Sequence, residues 1–245
     1  MRHVLLAVAL ALLPVAASAG DAANRTLIGF SADGAIFAFM ESGVQDGSGF
    51  PYANVYFVDV ASNSWAEPPV AVRLDDEAMS AEGAAVAQAM RTAWPVLEAH
   101  GISTPARLLW SQPLTESRQD GAEEDGAWPG SVTAGFTDGR SDAFTLTVSE
   151  VDMPDGECGQ YGADITGFAL TLKADGANAG KTVYADDNVP ESRGCALGYS
   201  LSDVLEGPTP PDGGRSLVAL VNVFKLGFEG WDRRFIAVPF MPADG

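Results

Sequence analysis

The chain has 245 residues, with 33 acidic side chains against 14 basic ones and a net charge of −19. A surface of that sign repels nucleic acid and anionic lipid headgroups, whose binding needs clustered Lys and Arg. Acidity of this degree favours solubility and sets partners rather than fold.

The N-terminus has the three parts of an export signal: Arg2 and His3, an apolar run from Val4 to Val15, then Ala17-Ser18-Ala19. Small residues at that place predict cleavage before Gly20, and a signal peptide over residues 1–19. The apolar run is shorter than the roughly 20 helical residues that span a bilayer, so no stable membrane insertion is expected once the signal is removed. The expected location is the periplasm or the exterior.

Residues 26–65 read as an antiparallel meander. Thr26 to Ser31 is one apolar run, Ala32-Asp33-Gly34 a turn, and Ile36 to Met40 the second run. A long polar, Gly-rich loop is expected from Glu41 to Ala53, followed by a strand from Asn54 to Val60 with apolar residues on both faces. After Ala61-Ser62-Asn63-Ser64, Trp65 opens a fourth segment that runs through Val72. Residues 76–100 carry the clear helical pattern, with Val86, Met90, Ala93 and Leu97 as the apolar stripe. Asp75, Asp76 or Ser80 would cap its start and Gly101 its end, and Pro95 predicts a kink or break near Trp94.

Ala106 to Trp110 reads as a strand, and residues 116–130 as a mobile loop or weak boundary, rich in Gly and acid. Further strands are expected at 131–136, 143–151, 165–172 and 182–184. Leu217 to Phe224 and Arg234 to Phe240 form a closing hairpin around Gly227-Phe228-Glu229-Gly230. The fold class is mainly β (α+β), with antiparallel sheets and one main helix. Its two regions, a meander plus helix over 20–115 and a β-rich region over 131–241, are expected to pack as one unit. Cys158 and Cys195 are the only cysteines. In an exported chain two cysteines most often pair with each other, free or catalytic thiols being the alternative.

Gly29-Phe30-Ser31-Ala32-Asp33-Gly34, Phe37-Ala38-Phe39, Val55 to Val60 and Trp65 together resemble one blade of a TolB-like β-propeller. One blade-like unit does not make a propeller, which needs four or more. Val44 to Tyr52, Asn63-Ser64-Trp65 and Gly227 to Phe235 resemble a bacterial family of predicted secreted proteins, described as a domain of unknown function. That resemblance implies export and carries no activity.

His100 is the sole histidine beyond the predicted cleavage site, and neither G-x-S-x-G nor a phosphate-binding glycine motif is present. His100 reads as a helix C-terminal residue facing the negative end of the dipole. Two local carboxylate pairs, Glu41 with Asp46 and Glu150 with Asp152, keep a paired-acid hydrolase open. Asp152, Asp155 and Glu157 place several oxygens in one tight loop, a candidate for calcium; no other cofactor is expected. The candidate binding residues are Asp46, Ser48, Phe50 and Tyr52 in the first long loop, with Arg233 and Arg234 near the end. Binding sites often sit on loops held by rigid strands, and aromatic faces beside polar groups suit sugars or peptides. The expected function is a non-catalytic binding or structural module whose partner is an envelope protein or a glycan. The alternative is a carboxylate-dependent hydrolase acting on glycans.

Overall fold

A computed structural model describes residues 20–75, 81–112, 131–153, 158, 165–211, 213–228 and 230–242. Residues 1–19, for which a signal peptide is expected, residues 76–80, residues 113–130, and Asp155 and Glu157 of the calcium candidate lie outside them.

The first sheet holds β1 (Asn24–Ser31), β2 (Ile36–Val44), β3 (Pro51–Asp59) and β4 (Ser64–Arg73) as an antiparallel meander. Helix α1 (Glu82–Ala99) follows, and β5 (Ile102–Thr104) then returns to pair with β1, giving the order β4-β3-β2-β1-β5. Next, β6 (Arg107–Ser111) crosses to a second sheet, where it pairs with β11 (Ala196–Glu206) in the order β13-β12-β11-β6. Strands β12 (Leu217–Leu226) and β13 (Trp231–Phe240) close that sheet as the hairpin read from sequence. The third sheet is β7 (Ser131–Thr137), β8 (Ala143–Asp152), β9 (Thr166–Ala174) and β10 (Lys181–Ala185), in the order β10-β9-β8-β7.

The layers stack as α1, first sheet, second sheet, third sheet, and the second sheet is covered on both faces. Strand β12 shows this by alternation. Leu217, Ala219, Val221 and Val223 enter a core with β7–β10, while Val218 and Leu220 enter a core with Phe30, Phe37, Phe39 and Val58 of the first sheet. A strand covered on both sides needs a continuous apolar run, and β12 has one. The opposite face of the first sheet, with Ala38, Met40, Ala53, Val55 and Phe57, receives α1.

Three expectations are corrected in detail. The loop expected from Glu41 to Ala53 shrinks to residues 45–50, because β2 runs on to Val44 and β3 begins at Pro51. Glu41 and Ser42 read as loop because they are polar, yet both are buried in the strand with hydrogen-bond partners. The helical stripe keeps Ala93 and Leu97, but its first half lies one position over, on Ala85 and Ala89, with Val86 and Met90 packed at its flank. Small alanines in an i, i+4 row bring the helix backbone close to the sheet. No side-chain cap bonds the start of α1, and Pro95 lies inside it. Gly101, with φ of +59°, follows the helix as expected. The blade resemblance is not confirmed: β5 adds a fifth strand to the meander's sheet and α1 covers one of its faces.

Candidate ligand-binding cleft

A cleft of about 610 Å³ opens where the three sheets meet on one flank. The edge strands β4, β13 and β10 all lie on that flank. Period-2 alternation sends Asn54, Tyr56 and Val58 from β3 into the cleft, and Arg234, Ile236 and Val238 from β13. The β3–β4 turn adds Asn63, Ser64 and Trp65, β12 adds Lys225, and Tyr184, Ser192 and Arg193 form the third wall.

The floor is built on Glu41, which is 2% exposed. Its carboxylate accepts the hydroxyl of Tyr56 at 2.7 Å, the amide of Asn54 at 3.2 Å and the backbone N–H of Phe235 at 3.2 Å. Burial, then the Glu41 charge, push the Tyr56 hydroxyl well above its ordinary value, so it stays a donor. The Tyr56 ring is stacked between Phe39 at 4.9 Å and Trp65 at 5.4 Å. Trp65 is 55% exposed. The ladder therefore presents one indole face at the cleft mouth on a support anchored in the core.

Two arginines are held rigidly. Arg193 makes paired bonds to Asp186 at 2.6 and 3.0 Å and lies over the rings of Phe168 and Tyr199. Burial pushes the Tyr199 hydroxyl up to about 12, against the opposing pull of Arg193. Arg234 lies 4.9 Å above the ring of Tyr52 and donates to Asp21 Oδ2 at 2.5 Å. Lys225 differs from both: burial, then the Arg234 charge, hold its amine below the usual lysine range.

Of the residues singled out from sequence, Arg234 lines the cleft and Tyr52 stands behind it, with its hydroxyl on Asp21 at 2.8 Å. Arg233 is buried and donates to the carbonyl of Ala23 at 2.9 Å. Asp46, Ser48 and Phe50 lie on the β2–β3 turn, where Ser48 accepts the Phe50 N–H at 3.3 Å and Phe50 sits 5.9 Å from the Arg73 guanidinium. None of those three lines the cleft. The pair Glu41 and Asp46 is therefore split between cleft floor and turn. Glu150 accepts the Tyr199 N–H at 3.2 Å; burial, then Asp152, raise its carboxyl above the ordinary range. Both Glu150 and Asp152 lie away from the cleft. His100 caps the end of α1 against Glu67 at 2.9 Å. Cys158 and Cys195 form a disulfide with Cα atoms 5.7 Å apart, two residues beyond Arg193.

Sequence reasoning missed Trp65, Tyr56 and Lys225 as site residues. The available signal was the turn Asn63-Ser64-Trp65, a large aromatic directly after a polar turn, where it projects from the sheet edge. Asn63 itself has φ of +50°, which an Asn tolerates in such a turn.

Among the described residues, no helix is long and apolar enough to cross a membrane. Comparison with curated proteins and with solved structures finds no match. A family model described as predicted secreted protein (DUF2259) matches residues 38–241. That span runs from β2 to the end of β13 and includes every residue lining the cleft. The chain belongs to this family of predicted secreted proteins of unknown function.

Proposed function

We propose that the protein is a non-catalytic binding module working in the periplasm or outside the cell, and that the cleft takes a glycan. The observation that carries this is Trp65, half exposed at the mouth of the cleft and held flat on Tyr56. Apolar sugar faces pack on aromatic rings, while amides and hydroxyls at the rim meet the sugar hydroxyls. Asn63, Ser64 and Ser192 stand in those rim positions, all exposed. Export is supported by the family description and by Ala17-Ser18-Ala19 before Gly20. The regions 20–115 and 131–241 work as one unit in this reading, since their side chains share a core.

A hydrolase acting in the same cleft would need two facing carboxyls, one of them free to move a proton. Among the described residues Glu41 is the one carboxylate lining it, and its oxygens already accept three bonds. That supports binding over hydrolysis.

The test is calorimetric titration of the mature protein with a panel of hexose, N-acetylhexosamine and uronic acid trisaccharides. Binding is expected for at least one of them, and Trp65→Ala is expected to weaken it about tenfold, which is about 1.4 kcal/mol. No binding by any of the panel overturns the glycan reading. Release of reducing ends during incubation overturns the non-catalytic one.

A further inference from the structure

We infer that the saccharide taken by the cleft is anionic, and that the amine of Lys225 receives its carboxylate or phosphate; this rests on the glycan reading above. Lys225 lines the cleft from β12 and is part-buried. Among the described residues no carboxylate stands within ion-pair distance of its amine. That is unexpected in a chain with 33 acidic residues and only three lysines.

Each nearby carboxylate is committed elsewhere. Asp232 is the direct cross-strand partner of Lys225, yet its Oδ1 accepts the Asp21 N–H at 3.1 Å and its Oδ2 faces Arg234 at 3.8 Å. Asp21 is taken by Arg234 and Tyr52. Glu41 is taken by Tyr56, Asn54 and the Phe235 N–H. A part-buried cation beside the Arg234 guanidinium is costly without a counter-ion, and a charge perturbed in this way inside a cleft marks a functional site. An anionic group on the ligand supplies that counter-ion. Trp65 on the same cleft supplies the face for the ring that carries it. A charge-assisted hydrogen bond of this kind is stronger than a neutral one, so it discriminates acidic from neutral sugars.

The experiment titrates the mature, oxidised protein with three trisaccharides of equal length: a neutral hexose, its uronic acid counterpart and its 6-phosphate. The acidic forms are expected to bind about tenfold more tightly than the neutral one, with the preference shrinking at high salt. Whichever acid binds more tightly identifies the source of the anion. In Lys225→Met the preference for the acidic forms is expected to vanish. The melting temperature of that variant is expected to be equal or a few degrees higher, because a part-buried charge without a partner is removed. Equal binding of neutral and acidic sugars by the unaltered protein overturns the anionic ligand and leaves the glycan reading standing. No binding of any of the three overturns the anionic ligand, and the glycan reading falls with it if the N-acetylhexosamine trisaccharide also fails to bind. A preference that survives in Lys225→Met overturns the role of the amine. A marked fall in melting temperature or a failure to fold also overturns it, since the amine would then have a structural partner.

Discussion

Asp21 accepts a hydrogen bond at 2.5 Å from the guanidinium of Arg234, an ion pair between residues 213 positions apart in the chain. The contact is one of several that fasten residues 21–23 along β13. Arg233 N–H donates to the Asp21 carbonyl at 2.9 Å, and Ala22 bridges Arg233 in parallel. The start of the described chain is thus part of the wall that holds Arg234 flat beneath the cleft.

Removing the carboxylate from this pair is expected to be severe. Asp21 is 4% exposed, and losing it leaves Arg234 without its main counter-charge. Asp21→Ala should lower stability by about 3–5 kcal/mol, as for other broken buried pairs. Urea denaturation of the chain expressed from Gly20 checks this, and a loss below about 1 kcal/mol would show the pair to be incidental.

The disulfide closes a loop of sequence separation 37 between the 3₁₀ turn at Glu191–Arg193 and the segment after β8. In the chain-entropy model a loop of that length contributes about 4 kcal/mol. The double variant Cys158→Ser, Cys195→Ser is expected to lose stability of that order in denaturant. Free-thiol titration of the unaltered protein should find no reactive sulfur before reduction.

Two carboxyls give opposite pH dependences. Burial raises the Asp138 carboxyl, but the N–H groups of Asp142 and Arg140 and the Arg215 guanidinium outweigh it and hold the group below the ordinary value. Its stabilisation is present above the ordinary aspartate pKa and is lost as pH falls through the depressed one. Asp138→Asn should therefore be less stable than the unaltered protein at neutral pH, with the gap closing in acid.

Glu150 runs the other way, because burial and then Asp152 raise its carboxyl. Its folded state favours the proton, so stability is full below the ordinary glutamate value and falls as pH rises through the raised one. Glu150→Gln keeps the acceptor for the Tyr199 N–H and is expected to melt higher near neutral pH with no gain in acid. Thermal melts across the pH range separate these two variants by the sign of their slopes.

Gly29 is expected to tolerate no side chain. It sits at a β1 bulge with φ of +136°, and a Cβ there would lie 2.4 Å from the carbonyl oxygen of Thr104 on β5. Gly29→Ala combines backbone strain of about 1–3 kcal/mol with displacement of β5 from its sheet. Loss of protection in the 102–104 amides by hydrogen exchange would locate the damage.

The strand periodicities and the helix were legible in local sequence because alternation and the 3.6-residue repeat are properties of neighbouring residues. Asn54 to Val60 could be read as a strand covered on both faces, Leu217 to Phe224 as a strand, and the turns at Asp33-Gly34 and Gly227 to Gly230 as hairpins. The net charge and the cysteine pair likewise needed only composition and spacing. The extension of β2 through Glu41 and Ser42 was not legible, because buried polar residues look like loop until their partners are known. Tyr56, Asn54 and the Phe235 N–H supply those partners for Glu41. The same reason hid the cleft. Trp65, Lys225 and Tyr184 lie on three different sheets, and only stacking of those sheets brings them together. Local pattern sets which residues turn inward on each strand; which inward faces meet is decided by long-range packing, and the candidate site exists only there.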